Sequence, residues 1–333
     1  MIVDLSTAVC RVRGCGGPAS GVCINGLAFD ECPNVVPAEE VKYGNIEGGR
    51  RPDFVTIGTS SALTIGEADG FMRANGGTLL ALVAGPNVGK TTLSSTIYEL
   101  VRRGRLPGFG FAGSETIHAF EERCFLSRTA SMADTPDTVH TPASADVSFL
   151  HLGLALDDGR RADLLLSDRS GEHFEEALDQ PDSFASFVEL VRADAVLLLV
   201  DAERLEGNHQ AEFARIRKLL LAMSYTGVLL GKIICLVVTK TDKLATNVQR
   251  SNVEARAQRL MEEIGRRIPS AQTHLQFTAC RATPGHATIG EGVAELMAAS
   301  MPAVPIRSFK TTLWNPDDGG TALDRLMHGL GID

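Results

Sequence analysis

The sequence predicts an α/β fold: a doubly wound sheet of six strands covered on both faces by helices. Three observations predict it. From Thr78 onward, short apolar runs alternate with longer amphipathic ones, the pattern of strands joined by helical crossovers. Four of these runs are almost continuously apolar, as expected of strands buried on both faces. The composition, 44% hydrophobic and 22% charged over 333 residues, belongs to a globular chain that can bury one large core and carry an appendage.

The six predicted strands are 78–85 (TLLALVAG), 147–156 (VSFLHLGLAL), 162–168 (ADLLLSD), 195–201 (AVLLLVD), 232–239 (KIICLVVT) and 273–279 (THLQFTA). The second and the last alternate more than the others, and the second suits a sheet edge. After Lys90, the residues Leu93, Ile97, Leu100 and Val101 form one apolar stripe that stops at Gly104, which predicts a helix. Another helix is predicted from Ser251, where Ser251 and Glu254 form a capping box ahead of Val253, Ala257, Leu260, Met261 and Ile264. The expected organisation is a Cys-rich segment over 1–35, an irregular arm punctuated by Pro and Gly over 36–76, a core domain over 77–302 and a tail over 303–333 ending in a short helix.

The net charge of −9 argues against a protein that coats nucleic acid or anionic lipid, since both need a positive field. The apolar runs are too short to span a bilayer, and the first residues lack the pattern of a secretory signal, so the expected location is cytoplasmic. Seven cysteines are then expected as free thiols or metal ligands. Cys10, Cys15, Cys23 and Cys32 cluster among glycines that allow tight turns, and four thiolates there could hold a tetrahedral zinc. A segment so short cannot fold on apolar burial, so metal would supply its stability. The alternative is four reduced thiols in an unstructured leader.

The chemistry gathers at strand tips, where ligands of doubly wound sheets bind. The first strand runs into Ala84-Gly85-Pro86-Asn87-Val88-Gly89-Lys90-Thr91, a phosphate-binding loop with Ala84 in place of the usual first glycine. Its backbone N–H groups can form an anion nest at a helix N-terminus, with Lys90 reaching the β and γ phosphates and Thr91 ligating magnesium. The third strand ends at Asp168-Arg169-Ser170-Gly171; the aspartate can hold magnesium through water and Gly171 can offer its N–H to a γ-phosphate. The fifth ends at Thr239-Lys240-Thr241-Asp242. A carboxylate at 242 can accept from the N1–H and N2 amine of guanine, the stem of Lys240 can lie against the base, and Thr239 can tie this segment to the phosphate loop. Adenine lacks that donor pair and would leave the acid unpaired.

With these three motifs in this order, the region 78–300 resembles the Ras-like P-loop GTPases of the TRAFAC type. The resemblance implies a six-stranded P-loop NTPase sheet with one antiparallel edge strand, 147–156, and GTP with magnesium as ligands. It implies nucleotide contacts from Gly85 through Thr92, from Gly171, Thr239, Lys240 and Asp242, and from Ala279 and Cys280 in a loop behind the base. Two details, FAGSETIHAFEER (111–123) and Ser170-Gly171-Glu172, are similar to a narrower bacterial group, the double-GTPase proteins. That likeness implies a place in bacterial conflict or signalling systems and a second GTPase or an effector protein as partner.

The resemblance also implies a threonine before the second strand that closes over magnesium and the γ-phosphate; Thr138 and Thr141 are available, and Thr141 lies nearer the strand. Where Ras-like enzymes place glutamine after Asp-x-x-Gly, this chain has Glu172 and then His173. Glu172 is either a general base or a structural partner of an arginine, and His173 is the other water-positioner. Arg123, Arg128 and Arg169 are candidates for a charge-stabilising arginine, each competing with an ordinary ion pair. The expected function is a magnesium-dependent switch that hydrolyses GTP to GDP and phosphate, slowly without a partner. An ATPase using the same phosphate site and a GTP-binding scaffold with little hydrolysis are the alternatives.

Overall fold

The computed structural model describes residues 8–10, 21–22, 27–37, 60–125, 146–281 and 289–301, with backbone alone at 8–10 and 37. The chain divides into two units, Met1–Ile57 and Gly58–Asp333. In the first, strand β1 (Ala8–Cys10) pairs antiparallel with β2 (Val35–Pro37), Cys10 opposite Val35. A 3-10 turn at Phe29–Glu31 leads into β2, and Phe29, Cys32 and Val36 are buried. Cys32 is a buried free thiol, Cys10 lies in β1, and Cys15 and Cys23 fall outside the described residues. Among the described residues, no three His, Cys, Asp or Glu side chains gather as a metal-binding group.

The second unit opens with a helix where the sequence suggested an irregular arm. Helix α1 (Ile65–Asn75) is fixed by a reciprocal capping box between Thr64 and Glu67. It buries only Ala68, and Gly66 and Gly70 interrupt it, so no apolar stripe advertises it. Next come β3 (Thr78–Val83), α2 (Lys90–Arg102), β4 (Phe109–Phe111), α3 (Ile117–Phe125), β5 (Ser148–Leu156) and β6 (Arg161–Asp168). Helices α4 (Gly171–Glu176) and α5 (Val188–Arg192) precede β7 (Ala195–Asp201). The rest is α6 (Ala202–Gly207), α7 (His209–Tyr225), β8 (Ile233–Thr239), α8 (Asn247–Arg267), β9 (Gln272–Phe277) and α9 (Val293–Ser300).

Among the described residues the sheet has seven strands, in the order β4-β5-β6-β3-β7-β8-β9. All six expected strands are present, and β4 is the addition. It pairs antiparallel with β5, so 148–156 is antiparallel to its neighbours but does not form the edge. The remaining pairings are parallel. Helix α8 begins earlier than Ser251 because Thr246 and Gln249 form the working capping box.

Strand β3 sits centrally and explains the double winding. Its Leu80 and Leu82 face a core with Leu93 and Ile97 of α2, Phe120 of α3 and Leu296 of α9. Its Ala81 and Val83 face a second core with Phe174 of α4, Ile216 and Leu220 of α7 and Leu260 of α8. Burying each large aliphatic side chain contributes about 1.5–3 kcal/mol, so both faces hold β3 in place. The neighbours of β3 are β6 on one side and β7 on the other, and this reversal opens a crevice at the strand tips. Among the described residues, no helix is long and apolar enough to cross a membrane.

Candidate functional site

A cavity of about 320 Å³ lies at the carboxyl ends of β3, β6 and β8. The loop after β3 forms its floor, and Pro86 through Thr92 line it. The chain turns sharply there through positive φ at Asn87 (61°) and Gly89 (104°). The second of these angles is one that glycine adopts without strain. Helix α2 starts at Lys90 with no side-chain cap from Gly89, leaving its first turn as an anion-binding terminus. Lys90 is buried at 9% exposure, and its Nζ donates to Ala84 O (3.2 Å) and Gly85 O (3.4 Å). Burial pulls its pKa down to about 8, opposed by the charges of Asp168 and Glu172.

At the tip of β6, Asp168 is 4% exposed. Arg123 of α3 donates to its Oδ2 twice, from Nε at 3.0 Å and Nη2 at 2.6 Å. Gly171 opens α4 directly against the phosphate loop: a Cβ there would lie 2.4 Å from the carbonyl carbon of Gly85 and 2.5 Å from Pro86 N. Ser170, Gly171 and Glu172 line the cavity, with Ser170 Oγ donating to Glu172 Oε2. His173 is not among the lining residues, and its Nδ1 is buried without a hydrogen-bond partner among the described residues.

The tip of β8 is stitched to the phosphate loop. Thr239 Oγ1 donates to Val88 O at 2.6 Å and to Val200 O at 3.2 Å. Lys240 takes a left-handed conformation (φ 60°), which costs a non-glycine residue about 1–2 kcal/mol. Two bonds from its Nζ hold it, to Asn87 O and to Asp201 Oδ2, each 2.6 Å. Asp242 lines the same cavity, and burial raises its pKa. Behind it, Thr278 N donates to Val238 O (2.8 Å) and Thr241 N donates to Thr278 O (3.3 Å). Ala279 is buried and bridges to Glu291, while Cys280 lines the cavity with its thiol pushed up to about 12 by burial.

The fold therefore brings 86–92, Gly171, Glu172, Thr239, Lys240, Asp242 and Cys280 around one cavity. Asp168 stands close enough to Lys90 to be the leading charge acting on it. Thr138, Thr141 and Arg128 lie outside the described residues. Arg169 turns away to pair with buried Glu189 and stacks 4.1 Å over the ring of Phe187. Three participants, Lys243, Arg281 and Arg204, stand outside the motifs legible in the sequence, and Ser170, inside one, has no role assigned from it. Ser170, Lys243 and Arg281 line the cavity, and Arg204 Nη2 donates to Pro86 O at 3.0 Å. Ser170 lies within a motif and Lys243 and Arg281 directly follow motif residues, which is a usable signal; Arg204 has none.

A family model described as Double-GTPase 2 matches residues 78–301. Among solved structures, a bacterial selenocysteine-specific elongation factor, EF-Sec, is 16% identical with a TM-score of 0.35. That alignment covers 67% of this chain and only 28% of the elongation factor. The SRb-GTP/SRX complex of the signal recognition particle receptor from Chaetomium thermophilum is 13% identical with a TM-score of 0.36, covering 62% of this chain and 92% of that one. No curated protein matches the sequence.

Proposed function

The chain belongs to the Double-GTPase 2 family, and on that premise we propose that it binds GTP with magnesium at the strand tips and hydrolyses it to GDP and phosphate as a nucleotide-controlled switch. One observation carries the reading. The segment 239–242 and the phosphate loop are bonded to each other through Thr239 and Lys240, so a base at Asp242 and phosphates at Lys90 are held in one register. Asp242 reads guanine through N1–H and N2–H, Lys240 supplies its stem to the base face, and Ala279 and Cys280 back the base. The backbone N–H groups of 87–91 and the Lys90 ammonium take the phosphates, and Gly171 offers its N–H to the γ-phosphate.

The donor set fits magnesium, which takes hard oxygen ligands: Thr91, which carries a hydroxyl, lines the cavity, and Asp168 at the tip of β6 lies near enough for its charge to act on Lys90. Magnesium, when bound, neutralises charge on the β and γ phosphate oxygens. Thr141 is the proposed closing threonine. Glu172 accepts a proton from water as general base, with His173 as the alternative positioner. With Arg123 and Arg169 committed to Asp168 and Glu189, turnover is slow until a partner, an effector or a second GTPase, supplies a further group. The location is cytoplasmic, the setting is a bacterial conflict or signalling system, and neither nucleic acid nor membrane is a partner. The N-terminal cysteines 10, 15, 23 and 32 hold zinc. The working boundaries are 1–35, 36–76, 77–302 and 303–333.

A scaffold that binds GTP with little hydrolysis is the second reading, favoured by the engagement of Glu172 with Ser170. Single-turnover phosphate release from GTP and from ATP, with Lys90→Ala as blank, decides among the readings. Release from GTP supports the switch; tight GTP binding without release supports the scaffold; preference for ATP rejects the role of Asp242. Metal analysis before and after Cys23→Ser tests zinc, and metal-free wild type ends that idea.

A further inference from the structure

Behind the phosphate loop, Arg215 of α7 is partly exposed, its side chain at 14%, and has an incomplete set of partners. Its Nε and Nη2 donate to Glu212 at 3.2 and 2.6 Å, and Glu212 is itself 4% exposed. Its Nη1 is buried with no hydrogen-bond partner among the described residues. An unmade donor on a buried guanidinium nitrogen is costly and calls for an explanation.

Gly85 supplies the location. A Cβ added there would sit 3.0 Å from Arg215 Nη1 and 2.7 Å from Glu175 Oε1, so a cation and an acid flank one bare Cα of the phosphate loop. Glu175 lies on α4, four residues after Gly171, and therefore on the same helix face. Gly171 in turn abuts the Gly85–Pro86 peptide. Whatever reseats Gly171 also reseats Glu175 beside Arg215. Both charges act on Lys90 as well, Arg215 lowering its pKa and Glu175 raising it.

We propose that Arg215 is a positioning residue for hydrolysis: when a γ-phosphate engages Gly171 and shifts α4, the free Nη1 pairs with Glu175 and locks α4, and with it Glu172, in the hydrolysing position. The inference rests on the GTPase reading above and adds to it a contact that distinguishes triphosphate from diphosphate. Glycine at 85 leaves the room in which the two groups meet.

The test uses the full chain as wild type, Arg215→Gln, Arg215→Lys, Glu175→Gln and the Arg215→Gln/Glu175→Gln double variant. Single-turnover phosphate release is measured, together with the affinities for GDP and for a non-hydrolysable GTP analogue. Arg215→Gln and Glu175→Gln should each slow release about 10-fold and weaken the analogue while leaving GDP binding unchanged, with the double variant no slower than either single one. Arg215→Lys, which keeps the cation, should stay closer to wild type. Arg215→Gln leaves Glu212 without its cation and can fail to fold, but Glu175→Gln changes an exposed side chain and reports the pair by itself. Additive losses in the double variant, equal weakening of GDP and the analogue, or unchanged release in Glu175→Gln would overturn the inference. A wild type that neither binds nor hydrolyses GTP would instead remove the GTPase reading, and this inference with it.

Discussion

Replacing Asp242 with asparagine should exchange the preferred base from guanine to xanthine. In the proposed complex the carboxylate accepts two hydrogen bonds from guanine, and a bond to a charged group contributes about 1.5–3 kcal/mol. The pair is therefore worth about 3–6 kcal/mol, or roughly 10²–10⁴ in affinity. Asp242 is half-buried and burial raises its pKa, so part of its hydration is already lost before the base arrives. Asparagine offers an amide N–H₂ that meets the C2 carbonyl of xanthine but opposes the N2 amine of guanine. Isothermal titration with GTP, XTP and ATP, on wild type and Asp242→Asn, measures all three affinities. The variant should lose GTP by at least about 100-fold and gain XTP by a similar factor. Equal weakening of GTP and XTP, or no change in either, would refute the assignment of the base to this carboxylate.

Three further outcomes are expected. GTP affinity should be flat with pH below about 8 and fall above it, because the free protein then loses the Lys90 proton that phosphate binding must restore. The loss is about 10-fold by pH 9. Isothermal titration at pH 7 to 9.5 measures it, with Lys90→Ala reporting the titration of the base itself; a flat wild-type profile contradicts the role. Thr239→Val keeps the shape but deprives Val88 O and Val200 O of their donor, so denaturant unfolding should show a loss of about 1–3 kcal/mol together with weaker GTP binding. Unchanged GTP affinity would separate the tie from the site. Gly292→Ala, at φ 77° with a Cβ placed 1.8 Å from Phe277 O, should destabilise by about 2 kcal/mol or more in a thermal melt, and a neutral effect would contradict the packing of α9 against β9.

The sequence made the sheet legible because its central strands are buried on both faces and therefore read as unbroken apolar runs. Strand β4 was not legible: three residues centred on Gly110, among further glycines, carry no period, and only pairing with β5 makes them a strand. Helix α1 hid for a similar reason, its start marked only by Thr64 and Glu67. In the site, residues that act through their place in a short motif could be read directly, since Gly89-Lys90-Thr91 needs only the strand before it and the helix after it. Arg215 could not be read so. It meets Gly85 from 130 residues away, and Arg204 reaches Pro86 from 118, through packing that only the folded sheet creates. Arg123 and Arg169 were visible as arginines, but their commitment to Asp168 and Glu189 depends on helices whose placement no local pattern encodes.

The most direct measurement is a crystal structure of the chain with a non-hydrolysable GTP analogue and magnesium. The account predicts the guanine edge on the Asp242 carboxylate, the phosphates on the backbone N–H groups of 87–91, and Lys90 Nζ moved from Ala84 O and Gly85 O to the phosphates. A nucleotide bound with its base away from Asp242, or with its phosphates away from Lys90, would contradict it.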